Sequence, residues 1–135
     1  MNNSIASVGW YRFAKYNGDN LGGDGAIIDI KIMTTFNRDN NSVHHVELIC
    51  TYARSKFKLV GGYSNTLVIS KIRHVYDSIN KKSYIDIYYN SNYMNGIFAY
   101  VKAYNYAFSP VNFEPIKESV DGCTIVSSVE LTENY

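Results

Sequence analysis

The sequence has almost no net charge, few cysteines and no long apolar run, and each shortage removes a class of protein. Thirteen basic and twelve acidic residues leave a formal charge of +1, so no overall field draws the chain to nucleic acid or to a membrane surface. No apolar run approaches the roughly 18 residues of a membrane-spanning helix. We therefore expect no nucleic-acid partner and no membrane insertion. The opening residues, MNNSIAS, also lack the charged and apolar regions of a secretion signal.

The two cysteines, Cys50 and Cys123, form no CxxC pair, which excludes the usual zinc and redox spacings. Each lies within an apolar run, and a domain of this length does not need a disulfide to fold. We expect two buried thiols.

Catalytic patterns are also missing. No nucleophile motif of the GxSxG type occurs. His44 and His45 are adjacent, so on a strand they point to opposite faces, and His74 has no partner close to it in sequence. Asp29 and Asp86 lie on polar faces of predicted strands, as does Glu47, and one neighbouring pair of carboxylates would suffice for glycosidic cleavage. Exposed strand acids are common, however, and we expect no enzyme.

A Gly-rich stretch at 17–25, NGDNLGGDG, is typical of a loop. Asp19 and Asn20 offer oxygen atoms, and GGDG resembles one fragment of a calcium-binding nonapeptide repeat. Such repeats bind calcium in tandem, and the sequence has one. We therefore expect a flexible loop here, with no metal and no cofactor.

What the chain does have is thirteen tyrosines and a repeated alternation of apolar and polar residues, both typical of β-strands. We predict eight or nine strands in a single all-β domain over 1–135, an antiparallel, jelly-roll-like β-sandwich, with a closed barrel as the second choice. Residues 1–7 are expected to be a loose lead-in, and Pro110 and Pro115 to bracket an irregular piece. The clearest predicted strands are Val8–Tyr16, Ala26–Phe36, Val43–Ala53, Phe57–Val60, two in the hairpin Thr66–Asn90, Ile97–Phe108 and Cys123–Leu131.

The predicted strand Ile97–Phe108 separates a small apolar face from an aromatic one. Aromatic planes bind sugar rings, but five aromatics on one face also suit a buried core or a contact between copies. The candidates for an oligomer interface are Phe98, Tyr100, Tyr104 and Tyr106.

Charge is unevenly spread. Between Arg54 and Lys82 seven basic residues accompany the single acid Asp77, whereas acids dominate after Ser109. Solvated strand faces explain this most simply. The alternative is a patch for an anionic partner such as an acidic glycan.

Four segments, in this order and spacing, resemble the C-terminal head domain of bacteriophage tail-fibre and tail-spike proteins. They are GWYRFA at Gly9–Ala14, AIIDIKI at Ala26–Ile32, KIRHVYD at Lys71–Asp77 and SYIDIYYN at Ser83–Asn90. The resemblance covers Val8 to Phe108, and its motifs are structural rather than catalytic.

The resemblance implies a small β-sandwich at the distal tip of a virion tail fibre, usually trimeric, made in the host cytoplasm. Such a head binds a bacterial cell-surface receptor, a glycan or a protein. The alternatives are a trimerisation or assembly module of a fibre, and a carbohydrate-binding accessory domain of a polysaccharide-degrading enzyme or a weak glycosidase using Asp29 and Asp86.

Within this resemblance, the matched residues Trp10, Arg12, Arg73 and Asp86 read as framework. Arg73 and Asp86, with Lys71, are expected to form a cross-strand lattice on the outer face of a sheet. Receptor contacts are expected in variable loops. The candidate ligand-binding residues are Tyr93, Asn92, Asn90, Asn20, Asp19 and Asn40.

Overall fold

The computed structural model describes residues 2–5, 8–16, 26–35, 41–50, 54–64, 68–90, 95–103 and 108–132. These residues contain ten β-strands and no helix, and accordingly no helix that is long and apolar enough to span a membrane. The strands are β1 Asn2–Ile5, β2 Gly9–Tyr16, β3 Ala26–Thr35, β4 Asn41–Cys50, β5 Ser55–Ser64, β6 Ile69–Asp77, β7 Lys82–Tyr89, β8 Asn95–Ala103, β9 Phe108–Ile116 and β10 Cys123–Glu130.

The strands form two five-stranded sheets. The first sheet has the order β1-β8-β3-β4-β5 and the second the order β10-β6-β7-β2-β9. Every pairing is antiparallel. The predicted all-β, antiparallel class is confirmed, and the two sheets are arranged as in a β-sandwich.

A shared apolar core joins the sheets. The alternation in β3 buries Ile28, Ile30 and Ile32 completely and turns the side chains between them outward, as the period of two predicts. Each buried isoleucine contributes roughly 1.5–3 kcal/mol. The second sheet meets them with the buried residues Phe13, Ile72, Ile85, Ile87 and Tyr89.

The hairpin β6–β7 is the one that the sequence predicts. Asp77 closes its turn by accepting hydrogen bonds from the backbone of Ile79 and Asn80 through Oδ1, at 3.0 and 3.1 Å. A register shift between Ile69 and Lys71 turns both Ile69 and Ile72 to the core, which simple alternation does not foresee.

Three expectations about segments differ from the structure. The expected lead-in contains β1, which pairs with β8 from Asn2↔Phe98 to Ile5↔Asn95. The expected irregular piece lies in β9, and its prolines are tolerated because β9 is an edge strand that pairs with β2 alone. The expected single strand Ile97–Phe108 is divided, because β8 ends at Ala103 and β9 begins at Phe108.

Candidate functional site

A buried carboxylate holds three strands of the second sheet together on its outer face. Arg12 on β2 donates to Asp86 on β7 from Nε to Oδ1 at 2.8 Å and from Nη2 to Oδ2 at 3.3 Å. Arg73 on β6 donates from Nε to Oδ2 of Asp86 at 3.0 Å. Asp86 is 0% exposed and Arg73 2%. These three residues are called the Arg–Asp cluster below.

Arg73 also holds the connection between β9 and β10, residues Lys117–Gly122, which is called the strap. Its Nη1 donates to the carbonyl of Glu118 at 2.8 Å and its Nη2 to the carbonyl of Lys117 at 3.0 Å. Ser78 fixes the far end by donating its backbone N–H to the carbonyl of Gly122 at 3.0 Å. Because β9 and β10 are opposite edges of the second sheet, the strap crosses its outer face.

Aromatic rings complete the cover of the cluster. The Arg73 guanidinium lies 4.0 Å from the centre of the Trp10 ring, and that of Arg12 lies 3.7 Å from the centre of the Tyr84 ring. Trp10 packs edge-to-face on Tyr88 with their centroids 5.3 Å apart. Stacked guanidinium groups and aromatic rings shield the carboxylate and seal the part of this outer face that lies over the cluster, which is called the sealed face below.

The predicted cross-strand ion pair between Arg73 and Asp86 is confirmed. The expected lattice is wrong for Lys71, whose ammonium lies 5.7 Å from the ring centre of Tyr88 and forms no ion pair with an acid of the described residues. The Arg73–Asp86 pair is also buried, because the strap and the rings cover it.

A cavity of about 420 Å³ lies beside the strap, lined by Val75, Val120 and Ile125 and reaching Arg73 and Cys123. Cys123 is a free thiol of intermediate exposure, so the expectation of a buried thiol is wrong for it. The side chain of Cys50 lies outside the described residues.

The outer face of the first sheet has the opposite character, and it is called the open face. Of the eight large apolar side chains that are exposed in the described residues, five lie on it, with Ile49 64% and Tyr100 49% exposed. The five are Ile27, Met33, Ile49, Val60 and Tyr100. Such a concentration on one face is typical of an interaction surface.

Charged residues cross the centre of the open face in one line. Register places Lys102, Asp29, Glu47 and Lys58 side by side on β8, β3, β4 and β5. Asp29 Oδ1 lies 3.0 Å from Nε2 of His45. The face is therefore amphipathic, with apolar side chains on both sides of a polar centre.

Beside the line of charges, a depression of about 470 Å³ opens at the β5 edge of the open face. It is lined by Ile27, Glu47, Ile49, Lys56, Phe57 and Lys58. The sequence analysis did not predict this depression. One signal was present, because Ile49 is apolar yet shares a strand face with the polar residues His45 and Glu47.

A buried histidine connects the two sheets. His74 on β6 lies 2.9 Å from Oγ of Ser55 through Nδ1 and 3.2 Å from Oγ of Ser83 through Nε2. Ser55, on β5 of the first sheet, also hydrogen-bonds Ser127 on β10. Burial lowers the pKa of His74 to about 4, so its ring is neutral at neutral pH.

The histidines and acids of the described residues are distributed over both sheets. Asp29 and Glu47 are register partners on β3 and β4, and Asp29 contacts His45, so the neighbouring pair of carboxylates that the sequence allows lies on the open face. His44 is buried while His45 is partly exposed, which confirms that they point to opposite faces. Asp29 and Asp86 lie on the outer faces of different sheets, so they cannot share a cleft. Among the described residues, no group of three His, Cys, Asp or Glu is placed to hold a metal ion.

Of the six predicted ligand-binding residues, Asn90 is the one that lies within the described chain. Asn90 is exposed at the end of β7, and its backbone N–H donates to Val68. Tyr93, Asn92, Asn20, Asp19 and Asn40 lie outside the described residues. Among the described residues, Thr35, Asn41 and Asn95 lie at one end of the first sheet and Ala26 lies at the other.

Of the predicted interface aromatics, Tyr100 lies on the open face, where the Lys31 ammonium is 5.9 Å from its ring centre. Phe98 has Met33 as its register partner on β3, and its side chain is not described. Tyr104 and Tyr106 fall outside the described residues.

Comparison with protein-family models, with curated proteins and with solved structures finds no match to this chain.

Proposed function

We propose that this chain is a non-enzymatic binding domain, the receptor-binding head of a bacteriophage tail fibre, which attaches to a glycan on the bacterial surface. The observation that carries the proposal is the contrast between the two outer faces. One is covered over the Arg–Asp cluster by the strap and the aromatic rings, while the other exposes apolar and charged side chains together. A face of that mixed character suits contact with a partner.

The non-enzymatic assignment is supported by the state of two candidate groups, Asp86 and His74. Both oxygens of Asp86 accept hydrogen bonds from arginine, and the carboxylate is buried, so it is not open to a substrate. The two ring nitrogens of His74 face serine hydroxyls, so no carboxylate orients it as a general base.

A trimeric, jelly-roll-like head is the form of this proposal that we favour. Tyr100 and Met33 expose apolar surface near each other on the open face, and contiguous exposed apolar surface is typical of a contact between chains. A trimer would also display three receptor sites, and multivalency strengthens weak sugar contacts. Sedimentation equilibrium tests this part, with a trimer expected and a monomer at micromolar concentration contradicting it.

The binding proposal is tested by labelling intact bacteria with a fluorescent fusion of the chain. We expect saturable labelling that the unlabelled chain and purified surface polysaccharide both compete. Tyr100→Ala should weaken labelling because it weakens the proposed trimer contact, whereas Ile79→Ala, at an exposed apolar side chain on the turn of the second sheet, should not. Release of sugar fragments by the chain would instead favour the enzyme, and trimers that label no cell would favour the assembly module.

A further inference from the structure

The depression at the β5 edge of the open face has the size of a small-molecule site. Its volume of about 470 Å³ lies within the roughly 300–1,000 Å³ of such sites. It is open to solvent and built from strands β3, β4 and β5, which gives it a rigid base.

The floor of the depression is aliphatic. Ile27 on β3 is the register partner of Ile49 on β4, and Ile49 is in turn the partner of Lys56 on β5. Both isoleucines are substantially exposed, and Phe57 contributes at the edge. This floor offers a flat apolar contact to a ring.

The rim carries two lysines and one acid. Lys56 and Lys58 are two residues apart on β5, so their side chains leave the strand on the same face, roughly 7 Å apart. Both are exposed, and neither forms an ion pair with a carboxylate of the described residues. Glu47 lies opposite Lys58 in register. Two uncommitted ammonium groups next to an apolar floor define a site for a ringed anion.

We infer that this depression binds a carboxylated sugar residue of the receptor glycan, which makes the inference rest on the proposed function. The sugar carboxylate lies between the ammonium groups of Lys56 and Lys58. The apolar C–H face of the sugar ring packs on Ile27 and Ile49, and Glu47 accepts hydrogen bonds from the ring hydroxyls. A neutral sugar fits less well, because it leaves the two lysines without a counter-charge. A fatty acid also fits less well, because its apolar chain would lie against the Glu47 carboxylate.

The test is a titration of the isotope-labelled chain followed by NMR chemical shifts. The ligands are the methyl glycoside of glucuronic acid and N-acetylneuraminic acid, with methyl glucoside, acetate and inorganic phosphate as comparison ligands. We expect saturable shifts at Ile27, Ile49, Lys56 and Lys58 with both acidic sugars, and none that saturate over the same range with methyl glucoside.

Matched variants separate a built site from general attraction to positive charge. The double variant Lys56→Gln/Lys58→Gln should weaken binding of the acidic sugars about tenfold, as expected for the loss of two solvent-exposed charge contacts. Lys31→Gln/Lys102→Gln removes the same charge from the same sheet face and should leave the affinity within about twofold.

Three results would overturn the inference: equal binding of methyl glucoside, equal shifts with acetate or phosphate, or equal weakening by the two double variants. The cell-labelling experiment keeps the proposed function separate. Saturable labelling of bacteria that survives Lys56→Gln/Lys58→Gln would remove the acidic-sugar site and retain the receptor-binding head. Binding of acidic sugars by a chain that labels no cell would retain the acidic-sugar site and remove the receptor-binding head.

Discussion

At the scale of single residues, the position of Asp86 explains why the second sheet needs both of its arginines. A carboxylate without solvent contact is costly unless charged donors surround it, and Arg12 and Arg73 supply three hydrogen bonds to it. The alternation of β7 predicts the face on which Asp86 lies. It does not predict the burial, because the cover comes from the strap, more than 30 residues further along the chain.

Replacing Asp86 should therefore destabilise the protein strongly. Asp86→Asn leaves two arginines without their counter-charge, and we expect a loss of about 3–5 kcal/mol in the free energy of unfolding, measured by urea denaturation. Glu130→Gln, at an exposed acid on β10, should change it by less than about 0.5 kcal/mol. Similar values for the two variants would contradict a buried cluster.

Stability should fall on acidification because of the buried histidines. Burial lowers the pKa of both His44 and His74 from 6.5 to about 4. Between these values the unfolded chain binds protons that the folded chain does not, so the free energy of unfolding decreases as the pH falls. The loss approaches about 3 kcal/mol for each histidine near pH 4.

Urea denaturation at pH 7, 5.5 and 4.5 measures this dependence. His74→Gln should flatten it, because one of the two titrating groups is gone. A variant whose stability falls as steeply as that of the parent chain would show that His74 titrates equally in both states.

At the scale of elements, β5 departs most from its sequence prediction. The sequence predicts Phe57–Val60, but the strand continues to Ser64 through Gly61 and Gly62, past a register shift opposite His45 and Val46. Paired glycines usually indicate a turn. Here Gly62 has φ +133°, and its backbone lies directly against the carbonyl of Val43.

The two glycines should respond differently to substitution. Gly62→Ala places a Cβ against the Val43 carbonyl in a strained backbone conformation, and we expect a loss of about 2 kcal/mol or more. Gly61→Ala meets no atom within 4 Å and should have little effect. Thermal denaturation of both variants measures this difference in stability. Equal melting temperatures would contradict the close approach of Gly62 to the Val43 carbonyl.

The strap gives a second test at this scale. Arg73→Lys keeps the charge but loses the fork that binds the carbonyls of Lys117 and Glu118, so trypsin should cleave after Lys117 severalfold faster. Arg12→Lys alters the other arginine of Asp86, which has no bond to the strap, and should leave that cleavage rate nearly unchanged. Equal acceleration in both variants would show that general destabilisation, rather than release of the strap, exposes the site.

The positions of the strands and the face on which each side chain lies were predictable, because a period of two is visible within a short stretch of sequence. Ile28, Ile30 and Ile32 in β3 and Ile85 and Ile87 in β7 follow it. Pairing of distant segments was not predictable. The contact of Asn2–Ile5 with β8, and the placement of Pro110 and Pro115 on an edge, depend on sheet order that no local pattern contains.

At the scale of the whole molecule, the outer faces of the two sheets differ in what they expose to solvent. The outer face of the second sheet is covered over the Arg–Asp cluster by the strap and the aromatic rings. The first sheet presents the open face. Sequence alone could identify Tyr100 as a candidate contact, but it could not find the depression, because Ile27, Ile49 and Lys56 meet only through the pairing of three strands.

Binding of a bacterial glycan to the open face can be mapped by NMR chemical shifts of the isotope-labelled chain, titrated with the surface polysaccharide that competes in the cell-labelling experiment. We predict saturable shifts at the β5 edge of the open face, including Ile27 and Ile49, and unchanged signals for Trp10 and Arg73 in the sealed face. Shifts centred on the sealed face, or no saturable binding, would contradict the account.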